Sequence, residues 1–158
     1  MEIIGGLKVN TSKGTSGVIL SMLEGRPKGR VLDAPAGAGA ISRLLGKRGH
    51  DVIAFEIDER EFTAKEVTLV IGDMNRPLPF WDDSFDYIAC IDGIEHLENP
   101  YFAIREFART LKPGGELFIS TPNISAFRSR VRFFLRASTT KGKYHFRSET
   151  LHPSIILT

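Results

Sequence analysis

The sequence holds a single cysteine, Cys90, among its 158 residues, which excludes an internal disulfide framework and a cysteine-rich zinc site. It has no surplus of one charge: 21 Lys and Arg against 19 Asp and Glu give a net +2. That balance does not point to nucleic acid or a membrane surface on charge alone. No apolar run approaches the roughly 18 residues of a transmembrane helix. The opening MEIIGGLK lacks a basic stretch followed by an apolar one, so no secretory signal is expected. Internal repeats and low-complexity tracts are also lacking. What remains is ordinary for a cored domain, with 42% hydrophobic and 25% charged residues, and whole-chain disorder is excluded. The length is that of one domain, so residues 1–158 are read as a single cytoplasmic one.

Charge is uneven along the chain. Residues 124–158 hold seven basic side chains and one acid, a net +6, which leaves −4 on residues 1–123. Within the acidic body a short apolar run, turn residues and a helical pattern recur. Val31-Leu32-Asp33-Ala34, Val52-Ile53-Ala54-Phe55, Val67 to Ile71, Phe85 to Ile91 and Glu116 to Ser120 read as five strands. Ile41, Leu44 and Leu45 form one helical stripe, ended at Gly49. Tyr101, Ile104, Ala108 and Leu111, with Phe107 beside them, form a second, stopped by Pro113-Gly114-Gly115. Strands that are nearly all apolar and alternate with helices indicate a mostly parallel sheet covered on both faces, an α/β, doubly wound fold. Only about ten residues, Ile57 to Glu66, separate the second and third strands. That is short for a crossover helix, so a shortened helix or a single turn is expected there.

The first strand runs into Asp33-Ala34-Pro35-Ala36-Gly37-Ala38-Gly39. Glycines at such a junction let backbone approach a ligand, and the following helix offers unpaired N–H groups; the plain alternative is a tight turn. As a dinucleotide fingerprint the loop fails, because Ser42 stands where the last Gly or Ala belongs. Glu56 ends the second strand, where a carboxylate can accept from both hydroxyls of a ribose; the alternative is a solvated loop acid, and Asp58 is a rival. The loop and strand order leave a nicotinamide nucleotide and other adenosine-bearing cofactors open.

Val31 to Gly39 resembles the first motif of class I S-adenosylmethionine (SAM)-dependent methyltransferases. Gly72-Asp73-Met74 with Pro77-Leu78-Pro79-Phe80, and Asp83-Ser84-Phe85-Asp86, resemble their third motif and fourth strand. Ile94-Glu95-His96-Leu97-Glu98-Asn99-Pro100 and Leu111-Lys112-Pro113-Gly114-Gly115 resemble the segments that follow. The likeness covers roughly residues 28 to 123 and is nearest to small-molecule and lipid methyltransferases of the ubiquinone-biosynthesis type. It implies a Rossmann-like sheet, here lacking the last strands of the family's seven, and SAM as cofactor with S-adenosylhomocysteine (SAH) as product. Asp33, with the backbone at Ala34 and Gly37, would face the methionine amino end, and Gly37 and Gly39 would admit the ligand. Glu56 would hold the ribose and Ile57 pack on the adenine. Asp73 would accept from the adenine amino group, the Met74 N–H would meet a ring nitrogen, and Asp92 would lie near the transferred methyl. Pro35 departs from the pattern, standing where the family's first glycine belongs and removing one donor.

His96 is the candidate general base for a hydroxyl or amine acceptor; the plainer reading is a local hydrogen bond after the fourth strand. No metal is expected, since Glu95-His96 has no second histidine nearby in sequence. Cys90, inside a strand pattern, reads as core. Ser125 to Ala137 reads as a helix with Phe127, Val131, Phe134 and Leu135 on one face and Arg128, Arg132 and Arg136 in a stripe on another. It would clamp an anionic acceptor or lipid surface, or simply cover the sheet edge or act as an acceptor lid; without an RNA-binding motif, nucleic acid is the partner least supported. The chain is either truncated at its C-terminus or a compact member whose sheet edge is completed by Ser154-Ile155-Ile156-Leu157 or by a second copy. The expected function is methyl transfer from SAM to a small-molecule or lipid acceptor, mainly by proximity and orientation. The alternatives are a non-catalytic SAM-binding module acting in a complex and an NAD-dependent oxidoreductase.

Overall fold

The computed structural model describes residues 2–4, 7–9, 15–121 and 156–157. The basic segment 124–155, with the helix expected over Ser125 to Ala137, lies outside the described residues. Strands β1 (Glu2–Ile4) and β2 (Leu7–Val9) pair antiparallel as a separate ribbon, followed by α1 (Thr15–Met22). The main sheet is built from β3 (Arg30–Asp33), β4 (Asp51–Glu56), β5 (Thr68–Ile71), β6 (Phe85–Ile91), β7 (Leu111–Ser120) and β8 (Ile156–Leu157). Its order is β5-β4-β3-β6-β7-β8. The first five strands are parallel, and β8 is an antiparallel edge pairing Ile156 with Phe118 and Leu157 with Leu117. The chain winds outward from β3 to β5, then returns to the other side of β3. The order therefore reverses between β3 and β6, where such sheets open a crevice at their carboxyl ends.

Side chains alternate across the sheet with period two. Leu32, Ile53, Phe55, Ile88, Cys90 and Leu117 face α3 (Pro100–Thr110), whose Ala103 and Phe107 complete that core. Val31, Val52, Tyr87, Ala89, Ile91 and Phe118 face Ile19 and Leu23, at and just beyond α1, and Ile41 and Leu45 of α2 (Ala40–Lys47). Burial pushes the Cys90 thiol up to about 12, as expected of a core cysteine. No helix among the described residues is long and apolar enough to cross a membrane.

The crossover from β4 to β5 is made of turns with no helix, and buries Phe62 and Ala64 against Ala54. The crossover from β5 to β6 also has no helix; its own Met74, Leu78 and Phe80 pack into the core that α3 shares. α3 starts on Asn99, whose side chain accepts from the Phe102 N–H, with Pro100 in its first turn. It ends at Thr110, and β7 begins at once: Leu111 pairs with Phe85, the register shifts, and Glu116 pairs with Tyr87. The strand therefore starts five residues before the expected Glu116. Lys112 to Gly115 sit in that bulge, where a Cβ on Gly115 would lie 2.9 Å from the Asp86 carbonyl oxygen, so only glycine fits.

Candidate functional site

The carboxyl ends of β3, β4, β5 and β6 border one cavity of about 380 Å³ at the point of strand reversal. The loop after β3 forms its floor, and its backbone is bonded to both neighbouring strands. The Ala34 N–H donates to the Ala89 carbonyl and the Ala36 N–H to the Phe55 carbonyl. Gly37, at φ +52, lines the cavity, and its N–H donates to Glu56 Oε2 at 2.6 Å. Glu56 Oε1 accepts from the Ile57 N–H at 2.8 Å. A buried carboxylate is thus fixed at the tip of β4, with lone pairs left for a vicinal diol. Ile57 beside it is 66% exposed, a largely uncovered apolar side chain at the cavity.

Asp73, after β5, also lines the cavity. Its Oδ1 accepts from both the N–H and the side-chain amide of Asn75, at 2.8 and 3.0 Å. Met74, which is buried, and the half-buried Asn75 belong to the same wall. On the other side, Asp92 directly follows β6 in the left-handed region, φ +49, where Asp is tolerated better than most side chains. Its N–H donates to the Ser120 carbonyl, and the Ser120 hydroxyl donates to its Oδ1 at 2.7 Å. His96 sits in the 3₁₀ turn Ile94–His96, also on the cavity, with its side chain 77% exposed and Nε2 3.9 Å from Glu95 Oε1. Burial, helped by the charge of Asp92, raises the Glu95 carboxyl above its ordinary range.

Thus Gly37, Glu56, Ile57, Asp73, Met74, Asp92 and His96 come together on one cavity. Asp33, Ala34 and Gly39 do not line it. Asp33 is buried under the loop and accepts from the Ser42 hydroxyl through Oδ2, while its Oδ1 has no partner. Burial pushes its carboxyl up to about 7, against the lowering by Ser42 and with a small addition from Glu56. Gly39, at φ +81, starts α2, and a Cβ there would meet Phe62 at 2.5 Å. Its smallness serves packing of the loop on the β4–β5 crossover. Pro35 lines the cavity, and a Cβ on Gly93 would sit 2.2 Å from its ring Cδ. The Pro35 ring is accommodated by a glycine across the reversal point. Asn75 and Gly93 carry no motif signal of their own; their parts follow from contacts between segments distant in sequence.

Residues 32–119 match a family described as "Methyltransferase domain". A demethylmenaquinone methyltransferase of Beutenbergia cavernae is 33% identical over 129 residues, covering 77% of this chain and 53% of the relative. A ubiquinone biosynthesis O-methyltransferase of Dechloromonas aromatica is 29% identical over 60% of this chain and 44% of its own length. The crystal structure of the PH0226 protein from Pyrococcus horikoshii superposes with a TM-score of 0.65 at 29% identity, covering 77% of this chain and 62% of that one. The chain thus spans about half the length of the curated relatives it matches.

Proposed function

The chain belongs to the class I SAM-dependent methyltransferases, and from that premise we propose that it transfers a methyl group from SAM to a small-molecule or lipid acceptor. One observation carries the choice of cofactor. The cavity is walled by Glu56, Asp73 and Asp92, and no Lys or Arg is among the described residues that line it. SAM combines a sulfonium, an ammonium and one carboxylate, a net positive ligand that such a wall attracts. A dinucleotide would bring a pyrophosphate against three carboxylates with no cation among the described lining residues to meet it. The relatives named for demethylmenaquinone and ubiquinone biosynthesis support an acceptor of small-molecule or lipid class.

The donor set fits SAM. Glu56 accepts from the ribose hydroxyls while Gly37 and Ile57 hold its carboxylate, Ile57 covers a face of the adenine, and Asp73 accepts from the exocyclic amino group. When bound, SAM supplies a methyl made electrophilic by the sulfonium. This chain's contribution is to hold nucleophile and methyl in line and to exclude water, which can supply most of the acceleration. Asp92, fixed by Ser120, orients the acceptor end. His96 takes up the acceptor's proton at its ring where the acceptor is a neutral hydroxyl or amine.

Calorimetric titration with SAM, SAH and NAD tests the cofactor, and turnover on a panel of phenols, amines and lipids tests transfer. Binding of SAM and SAH with negligible NAD binding is expected. Preference for NAD would overturn the reading, and SAM binding without turnover on any acceptor would favour the non-catalytic module.

A further inference from the structure

We propose that Asn75 is a positioning residue that sets the cavity's selectivity for a 6-amino over a 6-oxo purine, an inference that rests on the adenosine reading of the cavity. Three hydrogen bonds pass through this side chain and its backbone. The Asn75 N–H and Nδ2 both donate to Asp73 Oδ1, at 2.8 and 3.0 Å, and Asn75 Oδ1 accepts from the Glu98 N–H at 2.9 Å. Asp73 Oδ1 therefore has both lone pairs occupied, while Oδ2 receives no hydrogen bond from any described residue. The carboxylate is locked by a two-pronged fork, with Oδ2 the acceptor left for a ligand.

The lock has a chemical consequence. An ionised carboxylate can only accept, so it rewards an exocyclic N–H donor and repels a carbonyl oxygen at the same purine position. A carboxylate free to rotate would evade the clash, or admit a water between itself and the carbonyl, and discriminate poorly. Discrimination at Asp73 thus depends on the fork. The fork is referenced to the opposite wall, because Glu98 follows His96 and Leu97, which line the cavity, and precedes the cap of α3. Asn75 is the link between the two walls.

Two variants separate the side-chain prong from the anchor. Asn75→Asp can still accept from the Glu98 N–H but cannot donate a side-chain hydrogen bond to Asp73; Asn75→Ala loses both side-chain contacts, and the backbone N–H of residue 75 remains on Asp73 in each. Each is titrated calorimetrically with SAH and with its 6-oxo, inosine-containing analogue, and amide exchange is followed at Glu98. The original protein should favour SAH by about tenfold or more. In both variants that ratio should fall several-fold, chiefly through weaker SAH binding, because one of the two donors that fix Asp73 is gone. The Glu98 amide should stay protected in Asn75→Asp and exchange faster in Asn75→Ala. A residue that merely holds the fold would weaken both ligands equally, so an unchanged ratio in the two variants overturns the inference. So does an original protein that binds SAH without preferring it to the 6-oxo analogue. Failure of the original protein to bind SAH at all would instead overturn the adenosine reading.

Discussion

Asp33 and Gly93 illustrate what single residues contribute beneath and beside the cavity. Asp33 is buried with one oxygen on Ser42 and the other unpartnered, and its carboxyl is pushed up to about 7, mainly by burial. An acid with a raised folded-state pKa stabilises fully below its unfolded value of about 3.9. That contribution is lost as pH rises to about 7 and is flat above it. Asp33→Asn removes the titration while keeping an acceptor for Ser42. In urea unfolding, its stability relative to the original protein should climb between about pH 4 and pH 7 and level off above that; a pH-independent difference would show that Asp33 is ionised throughout. Gly93 makes a steric prediction. Its absent Cβ is the space taken by the Pro35 ring, so Gly93→Ala should cost about 1–3 kcal/mol by overpacking. Adding Pro35→Gly should restore most of that loss, as a double-mutant cycle would measure; additive losses would mean the two residues are not opposed. Gly93 was not legible in the sequence because its constraint comes from a residue 58 positions earlier. Glu56 was legible, since the end of a strand already fixes where its side chain emerges.

The long crossover from β5 to β6 shows how an element without regular structure is held. Arg109, in the last turn of α3, donates to the Leu78 and Phe80 carbonyls and pairs with Glu106 and Asp82. Glu106 accepts in turn from the Leu78 N–H, and these bonds hold its carboxyl below its usual range. Arg109→Met should cost about 1–3 kcal/mol by leaving the half-buried Glu106 and two carbonyls underpaired. Arg109→Lys should recover less than half, because an ammonium cannot serve four acceptors spread in a fork. Urea midpoints would measure both, and full recovery by Lys would reduce the brace to simple charge pairing. The five parallel strands were legible because each is a compact apolar run. α1 was not: Gly17-Val18-Ile19-Leu20 mixes a poor helix former with β-branched residues, and its stability comes from Ile19 and, just past its end, Leu23 on the sheet. The start of β7 was hidden by Pro113-Gly114-Gly115, a breaker signal that here marks a bulge inside the strand.

At the scale of the molecule, charge separates the cavity from the rest of the chain. Residues 1–123 carry −4, and three of their carboxylates wall the cavity, while 124–158 carry +6. Opposite charges attract less as salt rises, with screening over about 10 Å at 0.1 M. SAM bears one more positive charge than SAH, so the two should respond differently. Between about 0.05 and 0.5 M salt, SAM affinity should fall several-fold while that of the uncharged-sulfur SAH changes little. The comparison cancels effects of salt on the fold, because both ligands share the ribose and adenine contacts. Equal slopes would mean that the three carboxylates do not act on the sulfonium, and the electrostatic choice between SAM and a dinucleotide would lose its support. Replacing Arg128, Arg132 and Arg136 together by Gln separates the two ends of the charge distribution. SAM and SAH slopes should then be unchanged, and only an anionic acceptor should show a raised KM, since no Lys or Arg lines the described cavity to steer it. A steeper SAM slope in that variant would instead mean that the basic segment lies over the cavity and offsets its carboxylates.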